Sequence, residues 1–258
     1  MRFGICTDLR NAPALQNAGW DYIEENVQAR LEGALDEDQW TGREAIARSP
    51  LPVLAANCLL PGSMKVTGPE VDHDTLLRYV TNVTRRAGET GIQRLVFGSG
   101  AARAVPTGFD SSAAREQILH FLRMSAPLAE RAGVTLVIEP LNRRECNIIN
   151  SVAEAMQYVL AVDHENIACL VDTYHLWLED EPVNHVRQAS SAIRHVHVAD
   201  KEGRVPPGVS GQSNYRPVFQ ALKAIGYDDM ISVEANFPDI AAGGADVLAF
   251  LRREWDEG

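Results

Sequence analysis

Eight short runs of apolar, largely β-branched residues punctuate the chain: Phe3 to Cys6, Tyr22 to Val27, Val53 to Ala56, Leu95 to Phe97, Thr135 to Ile138, Ala168 to Val171, His195 to Val198 and Ile231 to Val233. Runs of this length bounded by turn residues read as strands. Between several of them the apolar period lengthens to that of a helix. Ile118, Phe121, Leu122 and Leu128 share one face of a segment that stops at Gly133, VAEAMQYVLAV is opened by Ser151 as an N-cap, and YRPVFQALKAIG stops at Gly226. Strands alternating with helices require crossover connections and hence a parallel sheet, and eight such units in 258 residues match a closed (β/α)8 barrel better than an open sheet. The expectation is a single TIM-barrel domain over residues 1–258 of α/β class. The first third departs from this rhythm, with a modest helix from Gln39 to Arg48 and a Pro- and Gly-bearing loop from Leu59 to Glu70.

Composition narrows the function. A content of 45% hydrophobic residues supports a sizeable core, and a formal charge of −11 repels phosphate backbones and anionic membranes, so no nucleic acid or membrane partner is expected. The four cysteines, Cys6, Cys58, Cys146 and Cys169, are far apart and form no C-x-x-C, which fits a reducing compartment. The opening stretch MRFGICTDLRNAPAL has no long apolar segment and no cleavage pattern, so a cytoplasmic location is expected.

A barrel carries its chemistry at the C-terminal ends of its strands. Four polar residues stand there in succession: Glu139 after TLVI, Asp172 after ACLV, His197 in RHVHVAD and Glu234 after MISV, at intervals about one βα unit long. Three carboxylates and an imidazole at one mouth repel one another, at roughly 4 kcal/mol per like-charged pair for an effective dielectric of 20, unless a cation joins them. Oxygen-rich ligation with one nitrogen suits one divalent ion, Mn²⁺ or Mg²⁺ first, Co²⁺ or Zn²⁺ after them. His195 and His197 share a face by the period of two, and His197, nearer the strand end, is the expected ligand.

The runs IEPLNRRE, VDTYHLWLED, HVHVAD and SVEANF resemble the sugar isomerase/epimerase superfamily of xylose isomerase-like TIM barrels, and within it the ketose 3-epimerases and hydroxypyruvate isomerase-like proteins. The resemblance implies a divalent metal on Glu139, Asp172, His197 and Glu234, with Glu139 and Glu234 as the acid/base pair across the substrate. It also implies that Glu145 and His175 touch substrate oxygens, and that an arginine after the ligand histidine does so too. Here Gly203 stands where the ketose 3-epimerases carry that arginine, and Arg204 follows one place later. The implied partner is a small ketose, aldose or keto-acid; the implied assembly is a homodimer or homotetramer.

Such a site removes a proton next to a carbonyl and passes through a cis-enediolate, giving an epimer or, with proton return at the adjacent carbon, an aldose–ketose isomer. Two alternatives stay open: a dehydratase of an inosose or dehydroshikimate-type substrate, and a non-catalytic metal-binding barrel subunit. The segment GSGAAR, Gly98 to Arg103, lacks the third glycine of a dinucleotide fingerprint and follows a fourth strand, so nicotinamide binding is not expected. Lys201 and Arg204 follow the seventh strand, where barrels often hold phosphate, but read first as ordinary loop charges.

Overall fold

A computed structural model describes residues 1–258, and its eight parallel strands close into a barrel in chain order, β8 returning to β1. They are β1 (Arg2–Cys6), β2 (Tyr22–Asn26), β3 (Val53–Asn57), β4 (Arg94–Phe97), β5 (Thr135–Ile138), β6 (Ile167–Asp172), β7 (Ile193–Val198) and β8 (Met230–Val233). Each is one of the eight apolar runs, with its ends moved by a residue or two. The helices are α1 (Ala12–Ala18), α2 (Val27–Arg30), α3 (Gly42–Ala47), α4 (His73–Thr90), α5 (Gly100–Arg103), α6 (Ser111–Ala132), α7 (Val152–Val162), α8 (Thr173–Leu178), α9 (Asn184–Ala189), α10 (Arg216–Ala224) and α11 (Ile240–Glu257). No helix is long and apolar enough to cross a membrane.

Two expected helix ends hold in detail. Gly133 closes α6 at φ 67°, and the Ser151 hydroxyl accepts from the Glu154 backbone N–H at the start of α7. Ser151→Ala removes that cap and is expected to lower stability by about 1 kcal/mol, read as a reduced urea midpoint at unchanged slope. Of the stretch Gln39 to Arg48, Gln39 ends a 3-10 turn and only Gly42–Ala47 is α-helical, because Trp40 is extended and the N–H groups of Thr41 and Gly42 are taken by Glu32 Oε2. Residues 59–70 are loop, as expected.

What positions the site is the filling of the barrel interior. At the bottom, Asp229 joins Arg2 at 2.8 Å and Arg94 at 2.5 Å. Above them Tyr22, Ala55 and Met230 pack as one buried group and Val96, Val137, Ala168 and Leu170 as another. Side chains on a strand alternate, so the residues two further along, Glu24, Asn57, Glu139 and Asp172, share those interior faces one layer higher. The sheet therefore delivers polar side chains to the upper end of the tube, above these two packed groups.

Candidate active site

Four of the residues expected from sequence meet at the C-terminal mouth. One donor atom from each of Glu139, Asp172, His197 and Glu234 lies within 4.8 Å of the others. His197 Nδ1 is 3.1 Å from Glu139 Oε1, 3.5 Å from Glu234 Oε2 and 4.0 Å from Asp172 Oδ2. Glu139, Asp172 and His197 are buried, and Glu234 is half-buried at the rim. Asp172 serves two purposes at once. Its Oδ1 accepts from the backbone N–H groups of Tyr174 and His175, capping α8, while its buried Oδ2 has no hydrogen-bond partner. The mouth adjoins a cavity of about 320 Å³ that Cys6, Asn57, Cys58 and Glu234 help to line.

The charges within this cluster are unequal. Burial works to raise both glutamates. On Glu139 the neighbouring Glu234 charge adds to that effect, and the carboxyl is pushed above its ordinary value. On Glu234 the His197 ring and the Arg204 guanidinium outweigh burial and hold the group down at about 2. His197 is buried too, which favours the neutral ring, yet the charges of Glu24 and Glu234 overcome this and raise it well above 6.5. The two carboxyls thus differ in proton affinity, the condition under which an acid and a base can be told apart.

Glu145, His175 and Arg204 also reach the mouth. Arg204 donates to Glu234 Oε2, lies 3.6 Å from Glu145 Oε1 and 4.0 Å from Asp172 Oδ2, and stacks 4.8 Å from the Tyr174 ring. Its backbone is left-handed at φ 51°, directly after Gly203 at φ 74°, and this turn brings the side chain back over the barrel although it stands one place late in sequence. His175 accepts on Nδ1 from the Asn142 backbone N–H at 3.2 Å, which leaves the proton of a neutral ring on Nε2. That buried Nε2 has no partner and lies 4.0 Å from Asp172 Oδ2. Lys201 instead faces Asp180 at 3.4 Å, outside the cluster, and Trp177 packs edge-on against Tyr215.

Sequence reasoning missed two neighbours. Asn57 donates to Glu234 Oε1 at 2.8 Å, and Glu24, fully buried, bridges His195 and His197. Both sit at or near the end of a strand already recognised as one, which is the signal that could have found them. A divalent cation suits the residues present. Three carboxylates and a ring nitrogen converge, and the one carboxylate oxygen left orphaned in the protein interior belongs to the set.

The pattern of the family described as xylose isomerase-like TIM barrel matches residues 12–254. A D-psicose 3-epimerase from Ruminiclostridium cellulolyticum is 32% identical over 130 residues, covering 50% of this chain and 43% of that protein. A 3-dehydro-D-guloside 4-epimerase from Escherichia coli is 30% identical over 141 residues, 54% of this chain and 53% of its own length. These alignments span about half the length of the curated relatives they match. Among solved structures, the apo form of a 3-keto-D-glucoside 4-epimerase from E. coli superposes with a TM-score of 0.82 at 23% identity, covering 98% of this chain and 99% of that one. That likeness is one of fold.

Proposed function

This chain belongs to the xylose isomerase-like TIM barrel family, and from that premise we propose that it is a divalent-metal-dependent isomerase or epimerase of a small ketose, aldose or keto-acid. The observation that carries the reading is the convergence of Glu139, Asp172, His197 and Glu234, with the Asp172 oxygen unpartnered among them. Relatives named as ketose and keto-glycoside epimerases support it, and so does a 2-oxo-tetronate isomerase from Cupriavidus necator, 28% identical over 136 residues. A cavity of about 320 Å³ suits a small ligand.

Glu139, Asp172, His197 and Glu234 would hold the ion, Mn²⁺ or Mg²⁺ by their donor chemistry. When bound, it supplies Lewis-acid stabilisation of the negative charge that develops on substrate oxygen. One of Glu139 and Glu234 takes the proton from the carbon next to the carbonyl, and the other returns one to the opposite face of the enediolate. Asn57 and Arg204 hold the two Glu234 oxygens in place. The Nε2–H of His175 offers a fixed donor to a substrate carbonyl or hydroxyl, and Glu145 offers an acceptor at the rim. Returning the proton to the same carbon gives epimerisation; returning it to the adjacent one gives isomerisation.

The test is a panel of ketoses, aldoses and keto-acids incubated with Mn²⁺ in D₂O. Conversion with deuterium at carbon and no loss of water is the expected result. A product lighter by one water marks a dehydratase instead, and no conversion of any substrate under metal-saturated conditions would leave only a binding role.

Metal uptake has an expected pH signature. His197 is raised, so its extra proton is present below the raised value and lost above it, and a ligating ring must give it up. Loading with Mn²⁺ at neutral pH should therefore release protons, and affinity should climb with pH by about tenfold per unit until the ring is neutral in the free protein. Calorimetry in buffers of different ionisation enthalpy measures both quantities; a flat profile would contradict ligation through His197.

A further inference from the structure

We infer that Glu24 is the positioning residue of the metal-binding histidine: it holds His197 through Nε2–H, so that Nδ1 is the nitrogen turned to a divalent ion. This rests on the reading of the mouth as a metal centre. Glu24 belongs to β2, three strands round the barrel from β7, and is fully buried. Each of its oxygens is taken by one ring of β7: Oε1 lies 2.9 Å from His197 Nε2 and Oε2 lies 2.7 Å from His195 Nε2.

An ionised carboxylate can only accept, so both Nε2 atoms carry hydrogen when bound to it. For His197 this leaves Nδ1 as the sole nitrogen able to offer a lone pair, and it is the one among Glu139, Asp172 and Glu234. The pairing register between β2 and β3 shifts between Ile23 and Glu24, an irregularity of the kind that re-aims a side chain beside an active site. His195 has no partner on its own Nδ1, so its one side-chain hydrogen bond is spent on Glu24. It satisfies the second oxygen of a carboxylate that no water reaches, and so keeps that carboxylate from turning away from His197.

A carboxylate behind a ligand histidine fixes the ring's tautomer and strengthens it as a donor, and removing such a partner typically lowers metal affinity 10–100-fold. The measurement is Mn²⁺ affinity of the wild-type chain and of Glu24→Gln, followed across pH so that the two are compared at equal His197 protonation. A 10–100-fold weaker affinity is expected in the variant. In parallel, nitrogen chemical shifts of the histidines in the Zn²⁺-loaded wild type should place the metal on Nδ1 of His197 and a hydrogen-bonded proton on Nε2.

Equal affinities in the two proteins would overturn the role of Glu24 while leaving the metal centre standing. Should Glu24→Gln fail to fold, the wild-type spectrum decides alone, since metal found on Nε2 removes the inference. A wild type that takes up no Mn²⁺ or Zn²⁺ would remove both this inference and the functional reading beneath it.

Discussion

Glu139→Gln is expected to reduce turnover about 10²- to 10⁴-fold, and Glu234→Gln by a similar factor, because each change removes a group that must both lose and accept a proton at carbon. The two variants should fail differently. Glu139→Gln keeps the ionised Glu234 with its Asn57 and Arg204 contacts, so proton removal and return on one face survive, and substrate should exchange hydrogen with D₂O without being converted. Glu234→Gln removes the neighbouring charge that helps to raise Glu139 and leaves Glu139 to exchange only the hydrogen on its own face, that of the opposite epimer. Combining the two should cost little more than the worse single change, as expected of groups that act as a unit. Because both residues also sit in the donor cluster, metal content is measured alongside the kinetics with Mn²⁺ in excess. Conversion that persists in both variants at full metal occupancy would end the acid/base assignment.

The barrel was legible because its strands announce themselves. Most of the eight are short runs rich in apolar residues, and the four carboxylate or imidazole side chains of the mouth stand at or near the ends of β5 to β8. A polar residue at the same point of four successive repeats needs no tertiary knowledge to be noticed. Glu24 was not legible for the opposite reason. In YIEEN two adjacent carboxylates point to opposite faces of the strand, and what marks Glu24 as the one inside the barrel is a histidine 171 positions away. Asn57 is hidden in the same manner, its partner Glu234 lying 177 positions off. The helix α4 is a different case. Leu76, Tyr79, Val80, Val83 and Ala87 repeat with helical spacing and are buried, so the pattern was present but sat behind a loop that obscured where it began.

The segment GSGAAR shows how a sequence pattern can be right about glycine and silent about its cause. Gly98 follows β4 beside Glu139, and a Cβ there would stand 1.7 Å from Glu139 Oε2 and 2.8 Å from its Cδ. The glycine therefore makes room for the carboxylate rather than for a phosphate. Arg103, four residues after Ser99 in the same segment, is buried and donates to the carbonyls of Phe97 and Glu139, fixing the backbone on both sides of that gap.

Gly98→Ala is expected to force the Glu139 carboxylate out of the cluster, breaking its 3.1 Å contact with His197, and to lower turnover about 10²-fold or more. Stability should fall far less, by about 1–3 kcal/mol, because the obstructing atoms are the end of a side chain that can rotate away. Loss of activity alone would not separate this steric route from a general loosening of the mouth. The discriminating measurement is the same substitution made in a Glu139→Ala background. With no carboxylate to displace, Gly98→Ala should there change neither metal affinity nor stability appreciably, a strong departure from additivity between two adjacent sites. If the alanine costs as much in that background as in the wild type, the close approach of Gly98 to Glu139 is not what the glycine is for, and the position of Glu139 in the cluster would need another support.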